Sequence, residues 1–148
     1  MINSFKDDYY FLSNFFPCRI EYNGEQYPSV EHAFQASKSL DPEIRELFQD
    51  YKLSPSNAKK LGRRVDLRYD WEDVKLNIMR ELIEIKFSDN TLKHMLISTY
   101  PKELIEGNNW GDTFWGVCNK VGKNNLGKIL MSVRETFNKS HKYTDENQ

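Results

Sequence analysis

Ser29-Val30-Glu31-His32-Ala33-Phe34-Gln35-Ala36-Ser37-Lys38 reads as a short helix with two unlike faces. At about 100° per residue, Glu31, Gln35 and Lys38 fall within roughly 60° of one another on a single stripe. The opposite arc carries Val30, Ala33, Phe34 and Ser37, continued by Leu40, the small and apolar set a core accepts. Pro28-Ser29 opens the helix, with the Ser hydroxyl available to cap the first amides. A carboxylate, an amide and an amine therefore project in register. Either they are an ordinary solvated face with a Glu–Lys pair, or they hold a proton donor or acceptor against a polar substrate.

The elements around this helix follow from turn and periodicity signals. Cys18–Tyr22 and Glu25–Tyr27 flank Asn23-Gly24, a two-residue hairpin signal, within a first segment of loops and short strands. Asp41-Pro42-Glu43 opens a second helix whose buried face is Ile44, Leu47 and Phe48. Ser54-Pro55 opens a third, which ends at Leu61-Gly62. The longest helix is expected over 71–87, with Val74, Ile78, Met79, Leu82 and Ile85 inward. Another is expected over 89–98 on Leu92, Met95 and Leu96, and a closing one over 125–138 on Ile129, Leu130, Val133 and Phe137. Leu104-Ile105-Glu106 and Thr113-Phe114-Trp115 read as short strands around a turn. The expectation is a mainly helical α+β fold, one compact domain over residues 1–140, and a polar, frayed tail at 141–148.

Composition bounds the function. A chain of 148 residues fits one domain with its own core, and 39% hydrophobic with 29% charged residues is ordinary for a soluble globular protein. Lys and Arg total 21 against 22 Asp and Glu, so no global basic field drives nonspecific nucleic-acid binding. No leader-like or membrane-spanning apolar run is present. Cys18 and Cys118 stand far apart with neither CxxC nor Cys/His spacing, which suits a reduced cytoplasmic protein. His32, His94 and His141 lack the mutual spacing of a metal site, and no GxSxG motif appears. No metal and no cofactor are expected.

Three further segments carry polar chemistry in loops. Gly107-Asn-Asn-Trp-Gly-Asp-Thr-Phe-Trp-Gly116 places Trp110 and Trp115 beside Asp112. The indoles offer flat surfaces to a base while Asp112 orients a water or hydroxyl, or else the two Trp close a core while Asp112 caps backbone amides. Gly122-Lys-Asn-Asn-Leu-Gly127 leads into a helix, so its amides either cradle a phosphate near Asn124 or simply cap the helix. In Phe11-Leu-Ser-Asn-Phe-Phe-Pro17, Asn14 either meets a ligand or fastens its own loop. Lys59-Lys60 and Arg63-Arg64 form a basic cluster at a helix end, either a solvated face or a phosphate contact.

Taken in order, FLSNFFP at 11–17, YPSVEHAFQASK at 27–38, AKKLGRRVDLRYDW at 58–71, KF at 86–87, LIEGNNWGDTFWG at 104–116 and GKNNLGKILMSVR at 122–134 resemble the NADAR superfamily (NAD- and ADP-ribose-associated domain), especially its YbiA-like and RibX-like N-glycosidases. Phe16 and Ser37 stand where the family pattern often has Tyr and Ala, and neither change removes a proposed catalytic group. The resemblance implies a hydrolase that cleaves the N-glycosidic bond of phosphoribosylamino-pyrimidines, reactive early intermediates of riboflavin biosynthesis. Alternatives within the family are removal of ADP-ribose from guanine bases of nucleic acid, or noncatalytic binding of ADP-ribose or NAD. It also implies Glu31, Trp71, Asp112 and Trp115 as active-site positions, with Lys38 a further candidate.

The partner expected is thus a small phosphoribosyl or ADP-ribosyl substrate. Nucleic acid enters only in ADP-ribosylated form, no membrane is involved, and oligomeric state is left open. The expected catalytic set is Glu31, Lys38 and Asp112, and the expected substrate contacts are Asn14, Gln35, Arg63, Trp71, Trp110, Trp115 and Asn124. Breaking a ribose C1′–N bond needs a stabilised cationic sugar or an opened imine. Glu31 serves the first as acid or base. Lys38 serves the second as a neutral amine that forms a Schiff base, with Glu31 and Asp112 moving protons.

Overall fold

A computed structural model describes the backbone of residues 1–146 and the side chains through residue 140. The fold is mainly helical α+β, with four two- or three-residue strands beside six helices among the described residues. The chain divides into two units, one spanning Asn14–Lys86 and the other joining Met1–Ser13 to the chain from Phe87 onward.

In the Asn14–Lys86 unit, β1 (Ile20–Tyr22) and β2 (Glu25–Tyr27) form the expected antiparallel hairpin, with Ile20 opposite Tyr27. Asn23 and Gly24 take φ of 51° and 82°, the left-handed pair a tight primed turn requires. Helix α1 (Val30–Ala36) packs against this hairpin, α2 (Pro42–Glu46), α3 (Pro55–Gly62) and α4 (Trp71–Lys86). Ser29 caps α1 twice over. Its hydroxyl accepts from His32 N at 3.2 Å and lies 2.7 Å from His32 Nδ1. His32 Nε2 sits 2.7 Å from the Leu53 carbonyl, which can only accept. The proton therefore belongs on Nε2, and Nδ1 receives the Ser29 hydroxyl hydrogen.

Two helices bury less than their patterns suggest. Helix α2 is five residues long and none is buried; Leu47 is 52% exposed while Phe48 behind it is fully buried. Leu40, expected to extend the core face of α1, is 53% exposed because the chain leaves the helix at Ser37. In α4 the inward row is Trp71, Ile78, Met79, Leu82, Ile83 and Lys86. Val74 and Ile85 lie at its half-buried margin.

The other unit begins with Ile2, whose N–H donates to Glu103 O and whose carbonyl accepts from Ile105 N, both at 2.8 Å. A 3-10 turn over Asp7–Leu12 follows, where loop and strand were expected. Helices α5 (Asn90–Ser98) and α6 (Asn125–Glu146) pack together through rows that include Leu92, Leu96, Leu130 and Val133, while Met95 is exposed. The two expected strands lie elsewhere: β3 is Gly107–Asn108 and β4 is Val117–Cys118, paired in parallel. Helix α6 runs beyond the expected end at residue 138. The side chains of the tail expected at 141–148 lie outside the described residues.

Candidate active site

The polar stripe of α1 is not a solvated face. Every residue from Val30 to Ala36 is buried, with Glu31 at 7% and Gln35 at 6% exposure. Two polar side chains one turn apart are thus held inside the protein, where an unpaired group is expensive. They answer each other: Gln35 Nε2 donates to Glu31 Oε1 at 2.9 Å. The N–H of Glu31 donates to the Asn14 carbonyl at 3.0 Å, which fastens the FLSNFFP loop to the first turn of α1. The Asn14 side chain reaches Met79 Sδ at 3.6 Å through Nδ2, and its Oδ1 is buried without a hydrogen-bond partner.

Lys38 lies one residue beyond the C-cap of α1, half-buried, and its ammonium donates to the Gly62 carbonyl at 3.3 Å. Burial pushes its proton affinity below the ordinary lysine range; the nearby Arg63 guanidinium pushes the same way, and the Glu31 carboxylate opposes them. Arg63 caps the C-terminal end of α3 and is exposed, as are Lys60 and Arg64. Glu31, Gln35, Lys38 and Arg63, all named from sequence, are therefore brought to one place where α1 meets the end of α3.

The helix end comes this close because residue 62 has no side chain. A methyl built on Gly62 would lie 2.6 Å from Gln35 Cδ and 3.0 Å from Gln35 Cγ, and closer still to Oε1. Trp71, at 6% exposure, packs its indole against Phe34 with ring centroids 5.1 Å apart. One of its faces is thereby taken by the core.

Lys86 was legible only as part of the KF pair. It is 2% exposed, its ammonium lies 5.5 Å from the Phe16 ring centroid, and burial lowers its pKa to about 7 with the Cys18 sulfur opposing. Its place on the inward row of α4 is the signal that could have found it.

In the other unit the 107–116 turn is built by its own side chains. Asn108 Nδ2 donates to Asp112 O at 2.8 Å, and Asn108 Oδ1 accepts from Asp112 N at 3.0 Å. Asp112 Oδ1 accepts from Phe114 N at 3.1 Å and Trp115 N at 2.9 Å, the capping role weighed above. Its Oδ2 takes no part in that cap. Trp115 is half-buried and meets Phe114 edge to face at 4.8 Å, whereas Trp110 is 54% exposed at the tip.

Of the two readings of 122–127, a phosphate cradle or a plain helix start, the backbone pairing favours the second. The amides of Lys123, Asn124, Asn125 and Leu126 donate to the carbonyls of Thr113, Gly116, Phe114 and Trp115. The groups that a phosphate would have used are thus already paired. Asn124, expected to touch substrate, instead clamps its surroundings: Nδ2 donates to Leu104 O at 2.9 Å and Oδ1 accepts from Glu106 N at 3.0 Å.

Among the described residues no helix is long and apolar enough to cross a membrane. Residues 2–138 match the NADAR domain family. A Shigella boydii protein named N-glycosidase YbiA is 40% identical over 136 residues, covering 89% of this chain and 84% of that protein. A Vibrio vulnificus protein named riboflavin biosynthesis protein VVA0006 is 38% identical over 90% of this chain, which spans 37% of that longer protein. The NMR structure of the Escherichia coli protein YbiA superposes with a TM-score of 0.81 at 35% identity, covering 95% of this chain and 89% of that one.

Proposed function

Since the chain belongs to the NADAR domain family, we propose that it is an N-glycosidase that hydrolyses phosphoribosylamino-pyrimidines of the riboflavin pathway and so removes reactive amines. The observation that carries this reading is the buried Glu31–Gln35–Lys38 stripe. A fold does not keep a carboxylate and an amide at 6–7% exposure, with a half-buried ammonium beside them, for solubility. The names of the relatives support the reaction class and the pathway. The phosphorylated ribosylamine substrate and the cytoplasmic location are our own extension.

Cleavage breaks the ribose C1′–N bond with its electron pair leaving on nitrogen, and water adds across the bond. Glu31 is the indispensable group, able to stabilise positive charge on C1′ and to take a proton from the attacking water. Lys38 provides the competing route through an imine with the opened sugar, and its lowered proton affinity favours the neutral amine that attack requires. Arg63 suits the substrate phosphate, and Trp71 walls the site at Phe34.

The test is incubation of the pure chain with a phosphoribosylamino-pyrimidine, with ADP-ribosylated guanine in DNA, and with ADP-ribose, reading released base. Release from the first alone supports the proposal. Turnover confined to the second, or binding of ADP-ribose with no turnover anywhere, overturns it. Borohydride added during turnover separates the routes: a substrate adduct mapped to Lys38 establishes the imine, and its repeated absence leaves the carboxylate route.

A further inference from the structure

We propose that Gln35 is a positioning residue that keeps Glu31 in its carboxylate form, and that glycine at 62 leaves the space the Gln35 amide needs to reach it. This rests on the N-glycosidase reading and deepens it, because it chooses between acid and base for Glu31.

A primary amide has a donating end and an accepting end, and the two are nearly the same shape. Gln35 directs Nε2 at Glu31 Oε1, at 2.9 Å. Turned over, it would set a carbonyl oxygen against a carboxylate oxygen, two acceptors with no hydrogen between them. In the observed orientation Oε1 lies buried against the Gly62 backbone with no hydrogen-bond partner. An orphaned buried acceptor is a cost that folds usually avoid. It is tolerated here because the other end of the same amide serves a buried anion, a stronger bond than one between neutral groups. Residue 62 has room for Oε1 only as glycine. The carbonyl of that same glycine accepts from the Lys38 ammonium, so one residue leaves room for one neighbour of the carboxylate and binds the other.

The charges around Glu31 agree. Within its own stripe, the Lys38 ammonium acts on it. From the end of α3, Arg63 acts on Lys38; on α3 itself Lys59 is half-buried and Lys60 exposed. The other elements packed against α1 hold their charges in pairs: Glu25 with Arg45, Glu72 with Lys75, Arg80 with Glu84, and Glu81 with the Tyr22 hydroxyl. Glu21, Glu43, Glu46 and Asp73 are exposed, and Lys86 lies against Phe16. His32, next along the helix, has its ring engaged by Ser29 and Leu53. An N–H donor and a cation both favour the ionised carboxylate.

Glu31 thus enters turnover without a proton. It is the base that takes one from water as the water oxygen bonds to C1′. The proton that the departing nitrogen needs comes from solvent, so the hydrolysis balances with one water consumed.

The experiment replaces Gln35 with Leu, which keeps the bulk and removes the N–H, and with Met as a second variant should Leu impair folding. kcat/KM for a phosphoribosylamino-pyrimidine is measured against pH, and the Glu31 carboxyl is followed by 13C NMR through the same range. The acid limb and the NMR midpoint should both move up by about one pH unit, with activity recovering at high pH. A structural role alone would lower the whole profile without moving the limb. An unmoved NMR midpoint in a folded variant overturns the proposal. If wild-type protein releases no base, the functional reading falls, while the NMR midpoint still decides the role of Gln35.

Discussion

Gly62→Ala is the sharpest probe of the site. The backbone of residue 62 is helical, so alanine suits it conformationally and would stabilise a helix by roughly 1 kcal/mol in open surroundings. The surroundings are closed. The added methyl would overlap Gln35 Oε1 and stand 2.6 Å from Cδ, so the buried Gln35 amide must swing away from its place. Overpacking of this kind costs about 1–3 kcal/mol. Displacing the amide also breaks its bond to the Glu31 carboxylate, a charged hydrogen bond worth about 1.5–3 kcal/mol. Against the helix gain, the net is a loss of about 1.5–5 kcal/mol, read in urea titrations, with a fall in kcat. The double variant Gly62→Ala/Gln35→Ala tests the cause, because it removes the obstructing side chain. It should be at least as stable as Gln35→Ala alone. A Gly62→Ala protein with wild-type stability and turnover, or a double variant that stays as damaged as the clash implies, would refute the packing argument.

Asn124→Ala should lose about 3–5 kcal/mol, since it orphans Leu104 O and Glu106 N and puts alanine at a φ of 54°. Asn124→Gly should recover about 1 kcal/mol of that, and equal damage in both would show that φ is not strained. Lys86 carries a pH signature. Its folded pKa of about 7 lies below the ordinary 10.5, so the unfolded chain binds more protons between those values and stability rises with pH across that window. The contribution reaches about 1.4 kcal/mol per pH unit. Lys86→Met should flatten the rise in urea-measured stability between pH 7 and pH 9, and an unchanged slope would place the proton elsewhere.

The α1 stripe illustrates what a sequence holds and what it withholds. Its spacing put Glu31, Gln35 and Lys38 on one line, and the structure keeps them together. Its burial was not legible, because a polar row looks the same whether water or another helix covers it. What covers it is tertiary: a helix end 24 residues on from Lys38 that ends in glycine, and a loop hung from the Glu31 amide. Lys86 is the converse case, a cation whose charge suits the surface while its place on the α4 row carries it inward. Alternation marked short strands near 104–106 and 113–115, but ladder pairing is nonlocal and settled at 107–108 and 117–118. The Asn108–Asp112 bonds and the Asp112 cap on Phe114 and Trp115 explain the shift, since they hold 108–115 as a turn rather than a strand. The helix start at 125 was read well, yet the destination of its amides depended on where that turn folded back.

Those amide-to-carbonyl bonds tie the indole-bearing turn to the root of the last helix. Residues 113–116 and 123–126 are joined by four backbone bonds, so hydrogen exchange is expected to protect their seam as one unit. A perturbation that frays the base of α6 therefore removes four backbone bonds that hold the turn carrying Trp115, a turn that lies outside the helix in sequence.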